Sequence, residues 1–316
     1  MVAGLENRGH RCRLTFYDPR RTQSPAEVLG ILRHFPRVKA DRAFDVDTLG
    51  PSDALIATSW PTAYPVAAAP GQAKRLYFVQ DYEPSFYPAG SQASLAEGSY
   101  RLGLQGITMG PWLTEKLSSR FGMACEPISF EADLDEYSLS NRGPRPGVLF
   151  YARPLTPRRG YELGVLALER FIRASPGAEV HLVGGELGHR RPRLPHTSHG
   201  ILSHRKLNEL YNRCSAGLVL SLTNVSLLPL ELLAAGCIPV VNDSESTRAA
   251  LDNRFIRYAQ ASPGGLASAL STAYESARAG DLAADAAASV SGATWTRTVD
   301  QLESAIARAV RRPVVS

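Results

Sequence analysis

SLTNVSLLPLELLAAGCIPVVND (221–243) is the stretch on which the fold turns. A strand ends at Ser221, a polar turn Thr223-Asn224-Val225-Ser226 follows, and Pro229 precedes a helix beginning near Leu230. Glu231 falls in the first turn of that helix, Ala234, Ala235 and Gly236 stand behind it, and IPVV (238–241) is the next strand. This succession is one crossover unit of a parallel α/β sheet. The free backbone N–H groups of such a turn and helix start can bind diphosphate oxygens. A carboxylate at Glu231 would instead accept hydrogen bonds from a diol such as ribose, as the acidic residue of dinucleotide folds does. The alternative is a Glu231 that only complements the helix dipole on a solvated surface.

The same rhythm runs outward in both directions. Upstream, VLFYA (148–152), EVHLVG (179–184) and AGLVLSL (216–222) read as strands, with helices near 160–174, 204–213 and 228–235. Further back, strands are expected at RLTFY (13–17), ALIAT (54–58), RLYFV (75–79) and GITM (106–109). Helices are expected there around 25–34, 62–69, 92–102 and 111–121. Between the two series SLSNRGPRPG (138–147) carries the Pro, Gly and Ser of a linker. The reading is an α/β chain of two Rossmann-like, doubly wound domains, 1–137 and 148–292, facing each other across a cleft. Ligands in such sheets bind beyond the carboxyl ends of the strands. The opening VAGLENRGH (2–10) reads as the last turns of a helix closed by Gly9. The expectation is that the first strand and loop of the N-terminal domain are missing, through a downstream start codon or a truncated gene. A domain that simply starts on a helix is the alternative.

Composition narrows the function classes. In 316 residues, 44% are hydrophobic and 21% charged, which excludes a disordered tail or a disulfide-stapled miniprotein. Cys12, Cys125, Cys214 and Cys237 lie far apart without a Cys-x-x-Cys pair, so reduced thiols are expected and no metal site. Only four of the 35 basic residues are lysines, and the arginines are scattered from Arg8 to Arg312. That pattern gives no clustered basic face, and no nucleic-acid partner is expected. The most apolar stretch, 221–243, contains Pro229, Glu231 and Pro239 and falls short of the ~20 uninterrupted apolar residues of a membrane span. No signal-peptide core follows Met1. The expected compartment is the cytoplasm, with contact at the inner face of the membrane left open.

With these segments in view, the chain resembles glycosyltransferase family 4, of GT-B fold, and within it the rhamnosyltransferase subgroup of bacterial surface-glycan synthesis. The family's motif is Glu, seven residues, Glu. Its second Glu falls on Glu231, whereas Thr223 occupies the place of the first. GVLFYARPLTPRRGYELGVLALERF (147–171) is similar to the family's strand-loop-helix in which an Arg and a second base grip the donor diphosphate. Arg153 matches the first, and Arg158 and Arg159 compete for the second. Fixed guanidinium groups stabilise the charge that develops on a departing nucleoside diphosphate without a metal. The turn residues Thr223, Asn224 and Ser226 complete the implied donor site, and His199-Gly200-Ile201-Leu202 sits where the family reads its base through backbone groups.

RLYFVQDYEPSFYPAG (75–90) resembles the subgroup's acceptor-side wall. Its strand delivers Gln80, Asp81, Tyr82 and Glu83, and two carboxylates there can bind sugar hydroxyls or activate an acceptor hydroxyl. Asp81 is preferred to Glu83 as the catalytic group, and Trp60 offers either a sugar-stacking face or a core side chain. Thr294-Trp295 and the helix after it (293–316) resemble the terminal helix that packs back on the first domain. The resemblance therefore implies a retaining, metal-independent enzyme without a cofactor beyond its substrate, a nucleotide sugar such as dTDP-rhamnose. Its acceptor would be a glycan or lipid-linked glycan. The alternative is a truncated, non-catalytic relative that binds nucleotide or glycan without turnover.

Overall fold

Contiguous apolar runs become parallel strands buried on both faces, and the amphipathic stretches between them become the covering helices. The computed structural model describes residues 1–18, 24–32, 38–44, 49–129, 131–223, 227–279, 282–292 and 294–311. The chain forms two units: Met1–Ser129 together with the segment from Thr296 onward, and Phe130–Trp295.

In the first unit α1 (Val2–Asn7), β1 (Arg13–Thr15), α2 (Pro25–Leu32) and β2 (Asp41–Ala43) come first, and β1 pairs with β2 in a parallel ladder of their own. There follow β3 (Ala54–Ala57), α3 (Trp60–Ala68), β4 (Lys74–Val79), α4 (Ser91–Gly98), β5 (Gln105–Met109), α5 (Pro111–Phe121) and β6 (Cys125–Ile128). The four strands make a parallel sheet in the order β3-β4-β5-β6. Leu76 and Tyr77 of β4 and Ile107 of β5 are fully buried, as are Leu113 and Leu117, which α5 carries one turn apart.

The second unit holds β7 (Gly147–Tyr151), α6 (Tyr161–Ala174), β8 (Glu179–Val183), β9 (Thr197–Ser198), α7 (His204–Tyr211) and β10 (Cys214–Val219). It continues with α8 (Leu228–Ala234), β11 (Ile238–Asn242), α9 (Glu245–Ala250), β12 (Arg257–Ala259), α10 (Pro263–Ala279) and α11 (Leu282–Ala288). Its parallel sheet runs β12-β11-β10-β7-β8-β9. The strand that comes first in sequence, β7, therefore lies in the middle. The chain builds outward from it on one side through β8 and β9, then returns to build β10, β11 and β12 on the other. This is the doubly wound order with its reversal between β7 and β10. Close packing over β7 requires a glycine: a Cβ on Gly164 of α6 would stand 2.1 Å from Phe150 Cζ.

The last helix, α12 (Trp295–Arg311), belongs with the first unit from Thr296 onward. Thr298, Val299, Leu302, Ala305 and Ala309 recur at helical spacing and are buried, so one face is apolar. Gln301 accepts hydrogen bonds from the Ser129 N–H (2.8 Å) and hydroxyl (3.0 Å), and Arg308 pairs with Glu126. At the N-terminal side Glu303 pairs with Arg8 at 3.2 Å and with His10 at 2.7 Å.

The stretch 138–147 differs from the linker its composition suggests, and the unit boundary falls earlier, after Ser129. The Asn212 side chain accepts from the N–H groups of Ser140 (2.7 Å) and Asn141 (3.0 Å). Arg145 is buried and donates to the carbonyls of Ala235 and Gly236. Pro, Gly and Ser keep this segment irregular, but its polar groups are satisfied by the second unit and not by solvent.

Candidate functional site

At the reversal between β7 and β10 the carboxyl ends of two neighbouring strands release loops on opposite sides. The loop after β7 carries Arg153, then a single turn at Pro157–Arg159, then α6. The segment after β10 carries Ser221, Leu222 and Thr223, and α8 follows with Glu231. The two are fastened together, because the Leu222 N–H donates to the Arg158 carbonyl at 2.9 Å. Asn242 of β11 holds Ser221 through both its N–H and its carbonyl, each at 2.8 Å. Thr223 is buried, and its carbonyl accepts the Ser246 hydroxyl at 2.6 Å. Asn224 and Ser226 lie outside the described residues.

Arg153 is exposed, with its guanidinium 3.3 Å from the Tyr151 hydroxyl and 5.9 Å from the centre of that ring. Arg158 and Arg159 are half-buried in the turn that precedes α6. On the other side of β7, the loop after β8 begins at Gly184 with φ +114°, and a Cβ there would meet the Tyr151 ring at 2.7 Å. Only glycine combines that backbone with that contact. The Gly184 N–H donates to the Gly200 carbonyl at 2.8 Å, which joins the loop after β8 to the one after β9. Ile201, Leu222 and Leu155 on these three loops remain 79%, 53% and 84% exposed.

Glu231 is set deeper. Its Oε2 accepts the Tyr211 hydroxyl at 3.4 Å, and Tyr137 brings its hydroxyl to the same carboxyl. The two phenol rings are buried and stack with centroids 5.6 Å apart. Burial pushes the Glu231 carboxyl up to about 7; the Tyr211 and Tyr137 hydroxyls pull it down, and the negative charge of Asp133 adds to the rise. Tyr151 lies close enough to Tyr211 for their charges to interact, so a run of three tyrosines backs the space between Arg153 and Glu231. None of the three stands in a motif. Tyr137, Tyr151 and Tyr211 are brought together by the sheet, and apolar burial alone would read them as core.

In the first unit the end of β4 is built around Glu83. Its Oε1 accepts from Tyr77 at 2.6 Å and its Oε2 from the Trp60 N–H at 2.8 Å. Both oxygens thus tie the start of α3 to β4. Tyr82 is buried between Tyr100 and Phe121, with the Lys116 ammonium 4.4 Å above its ring. Trp60 donates its indole N–H to Tyr87 at 2.9 Å and meets the Tyr64 and Tyr87 rings edge-on, which fixes its plane. Asp81 is also buried, and one carboxylate oxygen accepts the Tyr82 N–H at 2.7 Å.

Comparison with known proteins agrees with this geometry. Residues 38–109 match the family model of the WsaF N-terminal domain, and residues 146–271 that of the WsaF C-terminal domain. Over 271 residues, 83% of the chain, the sequence is 36% identical to the O-antigen biosynthesis protein RfbC of Myxococcus xanthus. The chain spans 21% of the length of that relative. Among solved structures, Anabaena HepE in complex with UDP-glucose superposes with a TM-score of 0.69 at 15% identity, covering 98% of this chain and 93% of that one. WaaG, a glycosyltransferase involved in lipopolysaccharide biosynthesis, gives 0.65 at 12% identity, covering 98% and 94%. The sequence therefore encodes WsaF-type N-terminal and C-terminal domains on the fold of the GT-B glycosyltransferases.

Proposed function

We propose that the chain transfers a sugar from a nucleoside diphosphate sugar to a glycan or lipid-linked glycan during surface-glycan synthesis. The observation that carries this reading is the placement of Arg153, Arg158 and Arg159 after β7 and of Glu231 after β10, on the two sides of the β7/β10 reversal. The arginines suit the diphosphate, and the carboxyl suits a sugar or ribose diol. As the glycosidic bond breaks, the leaving diphosphate gains charge, which the guanidinium groups stabilise most in the transition state. Rhamnose carried on dTDP is the donor of this proposal on the resemblance of the motifs to the rhamnosyltransferase subgroup, while the likeness to RfbC supports surface-glycan synthesis alone. Transfer retains configuration by front-face attack: the acceptor oxygen bonds to the anomeric carbon as the diphosphate departs from that face, and the diphosphate takes the acceptor proton. The arginines supply the positive charge, so no divalent cation is required.

The test is incubation of purified protein with labelled dTDP-rhamnose and UDP-glucose, a surface-glycan acceptor and either magnesium or a chelator. The expected result is label transferred to the acceptor at an unchanged rate in chelator, and a donor-dependent rise in melting temperature. A melting shift without transfer would support the non-catalytic alternative. No shift with any nucleotide sugar would remove the donor site.

A further inference from the structure

Glu231 is not a carboxylate reaching freely into solvent. Two phenols meet it from behind, Tyr211 from the end of α7 and Tyr137 from the irregular segment before β7. Burial raises the phenols' own titration, that of Tyr211 most of all, so both remain O–H groups at any physiological pH. A phenol O–H that donates to a carboxyl oxygen favours the ionised carboxylate and leaves its remaining lone pairs for a ligand. A protonated carboxyl has spent one oxygen on its own hydrogen and no longer accepts two hydroxyls equally.

We propose that Tyr211 and Tyr137 are positioning residues that fix the Glu231 carboxyl in the orientation in which it accepts a ligand diol. This rests on the donor-site reading of Glu231 given above. The opposing influences are on the same elements. Asp133, from the segment that carries Tyr137, places negative charge near Glu231 and works against its ionisation, and Glu136 does the same toward the Tyr137 phenol. His204 at the start of α7 lies against the Tyr137 ring with centroids 6.0 Å apart, and its Nδ1 is 4.0 Å from a Glu136 oxygen. From β7 comes Tyr151, and ahead of β11 comes the buried Cys237 thiol, both facing Tyr211. Against that negative and apolar surround, the two hydroxyls are the groups that hold the carboxyl down to about 7. The stacked rings also leave the phenols little freedom to turn away, so the carboxyl they grip is oriented before any ligand arrives.

The experiment is the affinity for UDP-glucose and dTDP-glucose measured by calorimetry between pH 5.5 and 8.5. A nucleoside diphosphate sugar has no phosphate that titrates in this window. Wild-type affinity should rise with pH around a midpoint near 7. Tyr211→Phe and Tyr137→Phe should each move that midpoint upward, with affinity several-fold weaker at pH 7 and recovering towards wild type at pH 8.5. Glu231→Gln should bind weakly at every pH with no midpoint in the window. Two variants are used because either phenol may be removed singly while the other keeps the ring stack, and their melting curves report folding independently of binding. An unchanged midpoint in both Phe variants, with Glu231→Gln weak, overturns the positioning role while leaving the donor site intact. Wild-type affinity in Glu231→Gln overturns the donor-site reading itself.

Discussion

Arg153 follows β7 on an exposed loop, where its guanidinium meets one hydroxyl, that of Tyr151, at 3.3 Å. Glu83 also follows a strand, yet it is buried with each oxygen bonded to the protein interior. Two charged residues at the same kind of position thus sit in opposite environments, and burial separates them. Replacing an exposed side chain away from core, cap and network changes stability by about 0.5 kcal/mol or less. Losing a charge-assisted hydrogen bond to a phosphate costs ~1.5–3 kcal/mol of binding. Arg153→Ala should therefore melt as wild type while its affinity for a nucleotide sugar drops roughly 10- to 100-fold. Equal affinity in calorimetry would take Arg153 out of the site. Arg153 was legible because it stands one residue beyond an apolar strand, in a short loop before a helix. The phenols behind Glu231 were not, since residues 137, 151 and 211 become neighbours only when α7, β7 and α8 pack together.

At the scale of elements, strands within a sheet announce themselves, and of the edge strands in the two larger sheets only ALIA (54–57) does. LYFV and VLFY are apolar because both faces are covered, and their boundaries lie within a residue or two of the structure. CEPI (125–128), TS (197–198) and RYA (257–259) are edge strands whose pairing partner, not their composition, makes them strands. Such short, polar or Pro-containing edges are what limits edge-to-edge association. β9 is only two residues long, so its attachment depends on contacts beyond the ladder. His181 of β8 and His199 just after β9 provide one, Nδ1 to Nε2 at 3.2 Å. One ring must donate and the other accept, so the bond requires at least one neutral imidazole. Burial lowers both titrations, and for His181 the partner ring and Arg213 lower it further while Glu179 opposes. A lowered histidine pKa means stability present above the ordinary value of 6.5 and lost as pH falls through the folded value. Urea midpoints should fall as pH drops below 6.5 in wild type, and the fall should be blunted in His181→Asn. An identical pH dependence in the variant would show that the pair does not latch the edge.

At the scale of the whole chain, the two units hold different chemistry. The arginines, Glu231 and the three tyrosines all lie in Phe130–Trp295, while Asp81, with Trp60 and Glu83 around it, lies in the unit formed by Met1–Ser129 and the last helix. The doubly wound order and its reversal belong to the second unit, which is where a nucleotide is expected. Nothing in the first unit offers the same paired arginine loop and helix-borne carboxyl among the described residues. On the proposed reading the second unit holds the donor and Asp81 serves the acceptor, binding or activating its hydroxyl. Asp81→Asn keeps the size of the side chain and its ability to accept the Tyr82 N–H, so the end of β4 should keep its shape. The variant should retain donor affinity within about twofold, a difference of ~0.4 kcal/mol. Its turnover should fall by 10²- to 10⁴-fold, the span that general acid–base assistance supplies, as an order of magnitude. The informative quantity is the ratio of the two losses measured on one preparation. Equal losses would move Asp81 to the donor's side of the reaction. Full turnover would leave it as turn chemistry at the end of β4 and would place acceptor activation on the leaving diphosphate alone.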